Sequence, residues 1–158
     1  MSMRVIVATD GSKQSLAAAR HLMAFADASK ITEIVVLAVI SPWASVPFAN
    51  ELGPRTPAGS ATELSFRAEA QAAVAAIAAV FEGWGPKVVK SVRSGSPAAQ
   101  IVKAASQLEA DLIVVASGNR GLSDTVLLGS TAQRIQHSAP CPVLVARPHP
   151  RTPKARRR

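Results

Sequence analysis

The sequence contains little cysteine and no group of side chains suited to a metal. Cys141 is the single cysteine among 158 residues, so the chain cannot form an intramolecular disulfide. No cluster of Cys and His residues has the spacing that a zinc site requires. The composition therefore excludes a disulfide-rich secreted scaffold and a structural zinc domain, and it favours a cytoplasmic protein.

Long hydrophobic runs are also absent. The longest aliphatic run covers residues 34–40, whereas a transmembrane helix needs about twenty apolar residues. Near the amino terminus, an apolar run of four residues precedes polar ones, which is too short for the core of a signal peptide. We therefore expect no segment to cross a membrane.

Acidic residues are missing from the carboxyl end, and this explains the formal charge of +8. Six of the eighteen basic residues lie at positions 147–158, which leaves twelve basic and ten acidic residues elsewhere. Prolines without apolar periodicity predict that residues 148–158 are a basic disordered tail after one domain at 1–147. Any nucleic-acid binding by this tail should be non-specific, because phosphate contacts carry no sequence information.

Short aliphatic runs alternate with alanine-rich segments of helical period. The runs cover residues 5–8, 34–40, 88–92, 112–116 and 143–146, and most are apolar at consecutive positions. This pattern suits parallel strands that helices cover on both faces, and the alternation is typical of βαβ units. A chain of this length fits one core. The sequence predicts a single-domain, three-layer α/β/α sandwich with a five-stranded parallel sheet and four helices.

Start signals support the predicted helices. Capping boxes, in which a Ser and an acidic or amide residue three positions later satisfy the first N–H groups, are predicted at Ser60 and Ser130. Ser96 precedes a proline, which suits the first helical position. Residues 41–59 hold four prolines and two glycines, so we expect a long mobile loop there.

The segment after the fourth strand has the form of an anion-binding cradle. Gly118-x-x-Gly121 leads to Gly129, Ser130 and Thr131 at a predicted helix start. Glycines let backbone N–H groups approach phosphate oxygens, and a helix N-terminus adds free donors. Ligands of open α/β sheets bind beyond the carboxyl ends of the strands. The alternative is that the glycines only shape a turn and Ser130 only caps its helix.

Asp10, directly after the first strand, has two interpretations as well. A carboxylate at this edge of the sheet can accept hydrogen bonds from ribose hydroxyls. It can also cap the next helix or turn its own backbone.

Catalytic side chains are few. Neither the Walker A pattern nor the Rossmann glycine fingerprint occurs, which excludes an ordinary P-loop ATPase. His21, His137 and His149 have no sequence-adjacent acid or nucleophile that would organise a triad. Cys141, between two prolines, is predicted to be a small core residue. We predict no catalytic residue and no metal ligand, and at most weak ATP hydrolysis.

The chain resembles the universal stress protein family over residues 3–147. The similar segments are, in order, VIVATDGSKQS, VVLAVI, SGSPAAQIVKAASQLEADLIVVAS, GNRGL, LLGSTAQRI and HSAPCPVLVARP. No single segment is decisive, but their order and spacing together are specific. The resemblance implies a sheet of order 3-2-1-4-5. It also implies a homodimer paired through the last strand, which holds Val143, Leu144, Val145 and Ala146.

The resemblance implies a nucleotide site too. In the nucleotide-binding branch of the family, the motif G-x2-G-x9-G-[ST] wraps the phosphates, an aspartate after strand one holds the ribose, and strand two meets adenine. The ligand would be ATP or another adenine nucleotide such as AMP or cyclic AMP, with or without Mg²⁺. By this likeness the ligand-binding residues are Asp10 for ribose, Val39 for adenine, Gly118 and Gly121 in a first phosphate turn, and Gly129, Ser130 and Thr131 in a second.

One departure from the family motif separates two functional hypotheses. Gly121 and Gly129 enclose seven residues, 122–128, where the family pattern has nine. Every glycine and both hydroxyls remain, so the first hypothesis is a nucleotide-binding regulatory homodimer in the stress response. If the shorter turn closes the pocket, the protein is instead a dimeric interaction module without nucleotide.

Overall fold

The computed structural model describes residues 2–41, 52, 63–118 and 129–147. Several sequence predictions therefore lie outside the described residues. They concern most of the loop at 41–59, the helix start at Ser60, Gly121, the turn at 122–128, and the tail at 148–158 with His149.

Five strands form one sheet in which every neighbouring pair is parallel. The order β3-β2-β1-β4-β5 confirms both the predicted parallel sheet and the order implied by the family resemblance. The strands are β1 (Met3–Thr9), β2 (Ile31–Ile40), β3 (Lys87–Ser94), β4 (Leu112–Ala116) and β5 (Val143–Ala146).

Helices cover both faces of this sheet. Within the described part of the chain there are four α-helices, as predicted, and a short 3₁₀ helix at Ala28–Lys30. The α-helices are α1 (Lys13–Phe25), α2 (Glu63–Val80), α3 (Pro97–Gln107) and α4 (Ser130–Ser138). None of the described helices is long and apolar enough to span a membrane.

The core has two halves, one on each face of the sheet. Val5 and Val7 of β1 pack with α1 and α2, whereas Ile6 and Ala8 pack with α3 and α4. Successive residues of a strand point to opposite faces, so a strand covered on both sides must be apolar at consecutive positions. This is the physical reason that the aliphatic runs predicted the strands.

β1 and β2 are longer than their apolar runs because charged residues continue the pairing at the amino edge. Arg4 Nε lies 2.9 Å from Glu33 Oε1, an ion pair without hydrogen-bond alignment, and Lys87 Nζ lies 3.4 Å from Glu33 Oε2. The backbone N–H of Arg4 donates to Asp111 Oδ2 at 2.8 Å. These charges hold the sheet at the end opposite to the polar residues of the predicted site.

Cys141 is half-buried against the core half formed with α3 and α4, in agreement with the predicted packing role. Burial is the main cause that raises the pKa of the Cys141 thiol, and the negative charge of Asp111 raises it further.

Replacement of Ile113 by alanine tests this core. Ile113 is fully buried in β4, between Ile6 of β1 and Val143 of β5. We expect Ile113→Ala to lower the free energy of unfolding by about 2 to 5 kcal/mol, because it leaves a cavity in a packed sheet. Urea denaturation measures this loss. Phe25→Ala is the control: Phe25 is 60% exposed on α1, and its truncation should change stability by no more than about 0.5 kcal/mol. Equal losses in both variants would contradict the assignment of the core.

Candidate functional site

A cavity of about 230 Å³ opens at the carboxyl edge of the sheet. It lies where β1 and β4 are neighbours. The order of the strands reverses at this point, and such switch points hold the ligands of open α/β sheets. The walls come from the ends of β1, β2 and β4, from Ser15 of α1 and from the first two turns of α3 and α4. Six predicted site residues line it: Asp10, Val39, Gly118, Gly129, Ser130 and Thr131.

Sequence reasoning missed the apolar wall of the cavity and a buried serine. The wall includes Pro97 and Ile101 from α3, Val115 from β4 and Ile135 from α4. The signal that could have found the strand residues is the alternation of faces. Val39 and Val115 belong to the core half covered by α3 and α4, so Ser117, two residues after Val115, lies on that face too.

Asp10 sits in a tight turn between β1 and α1. Its Oδ1 accepts a hydrogen bond from the N–H of Ser12 at 3.0 Å, so Asp10 does turn its own backbone. Ser12 in turn caps α1 by accepting from the N–H of Ser15 at 3.2 Å. A carboxylate has two oxygens and several acceptor positions. The turn and an interaction with a ligand are therefore compatible roles for Asp10.

Gly118 and Gly129 bring the end of β4 and the start of α4 into backbone contact. The N–H of Gly129 donates to the carbonyl of Ser117 at 2.7 Å. A Cβ at position 129 would lie 2.9 Å from that same oxygen. Gly118 has a φ of +72°, in the left-handed region. Each glycine therefore has a structural reason that does not depend on a ligand.

The start of α4 differs from the prediction. Gly129 occupies the N-cap position and has no side chain to cap the first turn, and the structure shows no cap from another of the described residues. The capping box predicted for Ser130 and Gln133 is wrong, because the contact between Gly129 and Ser117 starts the helix one residue earlier. Ser130 thus becomes the first helical residue instead of the cap. Among the residues that the structure describes, the first N–H groups of α4 consequently have no side-chain partner where they line the cavity.

Ser117 adds a buried hydroxyl beside this contact. Its side chain is fully buried, and its Oγ has no hydrogen-bond partner among the residues that the structure describes. Its backbone N–H donates to the carbonyl of Ala146 at 3.0 Å, which joins β5 to the floor of the cavity. A buried hydroxyl without a partner costs about 1 to 3 kcal/mol. The floor of the cavity therefore has unused hydrogen-bonding capacity.

Charged side chains are scarce in the described lining, where Asp10 is the one ionisable residue. In the part of the chain that the structure describes, no three His, Cys, Asp or Glu side chains are grouped to hold a metal ion. His21, His137 and Cys141 do not line the cavity. The site can thus offer an apolar wall, one carboxylate, hydroxyls and uncapped N–H groups.

A parallel sheet of this order, with a cavity at its switch point, defines a doubly wound, three-layer α/β protein. The model of the universal stress protein family matches residues 1–147, and the chain belongs to this family. A universal stress protein of Methanocaldococcus jannaschii is 32% identical over 147 residues, which cover 91% of this chain and 81% of that protein.

Solved structures agree with this assignment. The hypothetical protein MJ0577 is 28% identical and superposes with a TM-score of 0.72 over 92% of this chain and 96% of its own. Three more distant neighbours contain nucleotides: a universal stress protein with cAMP, one from Arabidopsis thaliana with AMP and one from Archaeoglobus fulgidus with dAMP. Their identities are 24%, 17% and 20%, and their TM-scores 0.55, 0.62 and 0.62. They cover 92%, 96% and 90% of this chain, and 96%, 97% and 96% of theirs.

Substitutions at Gly118 and Gly129 test whether backbone conformation constrains the first position and steric contact the second. At Gly118 the constraint is the positive φ, so Ala should cost about 1 to 2 kcal/mol, and Asn, which tolerates this region, should cost less than Ala. At Gly129 any Cβ meets the Ser117 carbonyl, so Ala should cost about 1 to 3 kcal/mol. Asn meets the same oxygen, but its side chain can cap α4, so it should destabilise less than Ala. Urea denaturation without ligand measures all four variants. Unchanged stability in Gly129→Ala would contradict the steric explanation, because alanine offers no cap that could offset the contact with the Ser117 carbonyl.

Proposed function

We propose that this protein binds an adenine nucleotide in the cavity at the switch point. The observation that carries the proposal is the uncapped first turn of α4, which lines the same cavity as Asp10 and an apolar wall. A nucleotide has three matching parts: a flat base, a vicinal diol and an anion. Nucleotide complexes of family members support the choice of ligand.

The apolar wall suits the base. Val39 at the end of β2, Ile101 on α3 and Val115 on β4 are all buried in the sheet half that carries the cavity. Apolar side chains of this kind exclude water from a bound ring and leave its orientation to a few polar groups. Asp10, which is exposed at the mouth, would then accept hydrogen bonds from the ribose hydroxyls.

The start of α4 suits the phosphate. Uncapped N–H groups and the positive end of the helix dipole attract anions. The exposed hydroxyls of Ser130 and Thr131 add donors at the same place, and the unpartnered Ser117 hydroxyl lies below. These residues fit a phosphate group without any basic side chain. Mg²⁺ accompanying a triphosphate would be held chiefly by phosphate oxygens and water, as is usual for this ion.

Ser130→Pro tests the role of the backbone donors. Proline deletes one N–H and is well tolerated at the first helical position, and Gly129, with ψ at 153°, has the conformation that a residue before proline adopts. We expect Ser130→Pro to weaken the binding of ATP, AMP or cyclic AMP by at least about tenfold in calorimetry, because a hydrogen bond to a charged group is lost.

Ser130→Ala is the matched control, since it removes the hydroxyl and keeps the N–H. It should weaken binding less than Ser130→Pro. Equal losses would assign the interaction to the hydroxyl and contradict the role of the N–H group.

A second candidate is a ligand-free interaction module. The observation that favours it is that Gly118 and Gly129 are both explained by backbone geometry alone. If the folded protein binds none of the three nucleotides at millimolar concentration, this function replaces the first.

We further propose that the regulatory protein is a cytoplasmic homodimer of the stress response, paired through β5. The two edge strands of the sheet differ: β3 carries Lys87, Lys90 and Arg93, whereas β5 reads VLVA. Charged side chains protect an edge strand against pairing, and an uncharged edge permits it. β5 is therefore the edge at which a second copy fits.

Val145→Pro tests this interface. The carbonyls of Pro142 and Ala146 accept hydrogen bonds from β4, so by the alternation of a strand the backbone groups of Val143 and Val145 point outward. Proline at position 145 removes an outward N–H and spares the pairing with β4. We expect a monomer in multi-angle light scattering for Val145→Pro and a dimer for the control Val145→Ala. A dimer in both variants would place the interface elsewhere.

A further inference from the structure

The turn that carries Asp10 is held by two buried hydroxyls on either side of it in the sequence. Thr9 Oγ1 lies 2.7 Å from Ser15 Oγ, and both residues are more than nine-tenths buried. Thr9 Oγ1 also accepts from the N–H of Gly11 at 3.1 Å. Ser15 Oγ donates to the carbonyl of Ser12 at 2.7 Å. Thr9 and Ser15 thus connect the end of β1 to the first turn of α1.

The direction of each hydrogen bond follows from the chemistry of the groups. A carbonyl only accepts, so the proton of the Ser15 hydroxyl must point to Ser12. The bond between the two hydroxyls therefore uses the proton of Thr9. The N–H of Gly11 needs an acceptor, and it finds the remaining capacity of the Thr9 oxygen. The result is a directed chain from Gly11 through Thr9 and Ser15 to Ser12, in which each donor has one acceptor.

This chain of hydrogen bonds encloses Asp10. The bond from Gly11 to Thr9 spans Asp10, and the bond from the Ser12 N–H to Asp10 Oδ1 spans Gly11, whose φ is +78°. The backbone on both sides of the carboxylate is therefore fixed, and one of its oxygens is fixed as well. Thr9 and Ser15 line the cavity together with Asp10, but their hydroxyl protons are used inside the turn and are not available to a ligand. Their effect on a ligand is therefore expected to pass through Asp10.

We infer that Thr9 and Ser15 are positioning residues that aim the Asp10 carboxylate at the ribose and so determine discrimination between ribose and 2′-deoxyribose. This inference rests on the proposed function. A carboxylate oriented in advance accepts a hydrogen bond from a hydroxyl without an ordering cost, and a ligand that lacks the hydroxyl leaves that acceptor unpaired. Without the hydroxyl pair the carboxylate is free to reorient, and the advantage of the ribose is lost.

The experiment compares AMP and dAMP as probes in calorimetry with the full chain. The wild-type protein should bind AMP about tenfold more tightly than dAMP, since one hydrogen bond to a charged acceptor distinguishes them. Thr9→Val, which keeps the shape of the side chain and removes the hydroxyl, should reduce this ratio by at least about threefold, chiefly through AMP. Ser15→Ala should act in the same direction. Thr9→Ser, which keeps the hydroxyl, should retain the ratio.

An Asp10→Ala background separates the indirect role from direct contact. In that background, Thr9→Val should leave the ratio of AMP to dAMP affinity unchanged; a further loss would overturn the inference. Three results with the single variants would also overturn it: an unchanged ratio in Thr9→Val, equal weakening of AMP and dAMP binding in Thr9→Val, or a loss in Thr9→Ser as large as in Thr9→Val. Equal binding of AMP and dAMP by the wild-type protein would overturn it as well. Each of these leaves nucleotide binding intact. Failure of the wild-type protein to bind either nucleotide would overturn the proposed function and this inference together.

Discussion

The hydrogen bond from the Gly129 N–H to the Ser117 carbonyl is the constraint on which the cavity depends. It joins the end of β4 to the start of α4 at 2.7 Å, and it leaves no room for a side chain at position 129. The backbone N–H of Ser117 also donates to the carbonyl of Ala146, so Ser117 fixes both the start of α4 and the end of the edge strand β5. α4 therefore begins in contact with the end of β4, and Ser117, Gly118 and Gly129 at this junction line the cavity.

Recognition in such a cavity relies on dipoles more than on ions. Asp10 is the one charged side chain in the described lining, and the proposed phosphate end of the cavity consists of backbone N–H groups and hydroxyls. Fixed dipoles in a partly buried place are stronger than in water and need no reorganisation when a ligand arrives. On the proposed function, such an arrangement would accept a phosphate although the surplus of basic residues lies mainly at positions 147–158, beyond the sheet.

Much of the fold was predictable because burial on two faces leaves a direct trace in the sequence. The runs at 112–116 and 143–146 match β4 and β5 as found, since those short strands are apolar throughout. β1 and β2 extend further because Arg4 and Glu33 pair across the edge, which is a tertiary effect that no single strand reveals. In the candidate site, the polar residues that follow strands, such as Asp10 and Gly118, were predictable from the sequence. The apolar wall and the start of α4 at Gly129 were not, because they depend on the packing of segments that are distant in the sequence.

The dominance of backbone groups at the start of α4 has a consequence for how sequences of this kind can diverge. Nearly every point mutation changes a side chain, and only a change to proline removes an N–H donor. Substitutions at positions 130 to 132 therefore leave most of the proposed phosphate-binding groups in place. This chain shares about a third of its residues with its Methanocaldococcus relative. At that level of identity, backbone donors of this kind can be retained through the conformation of the main chain while most side chains change.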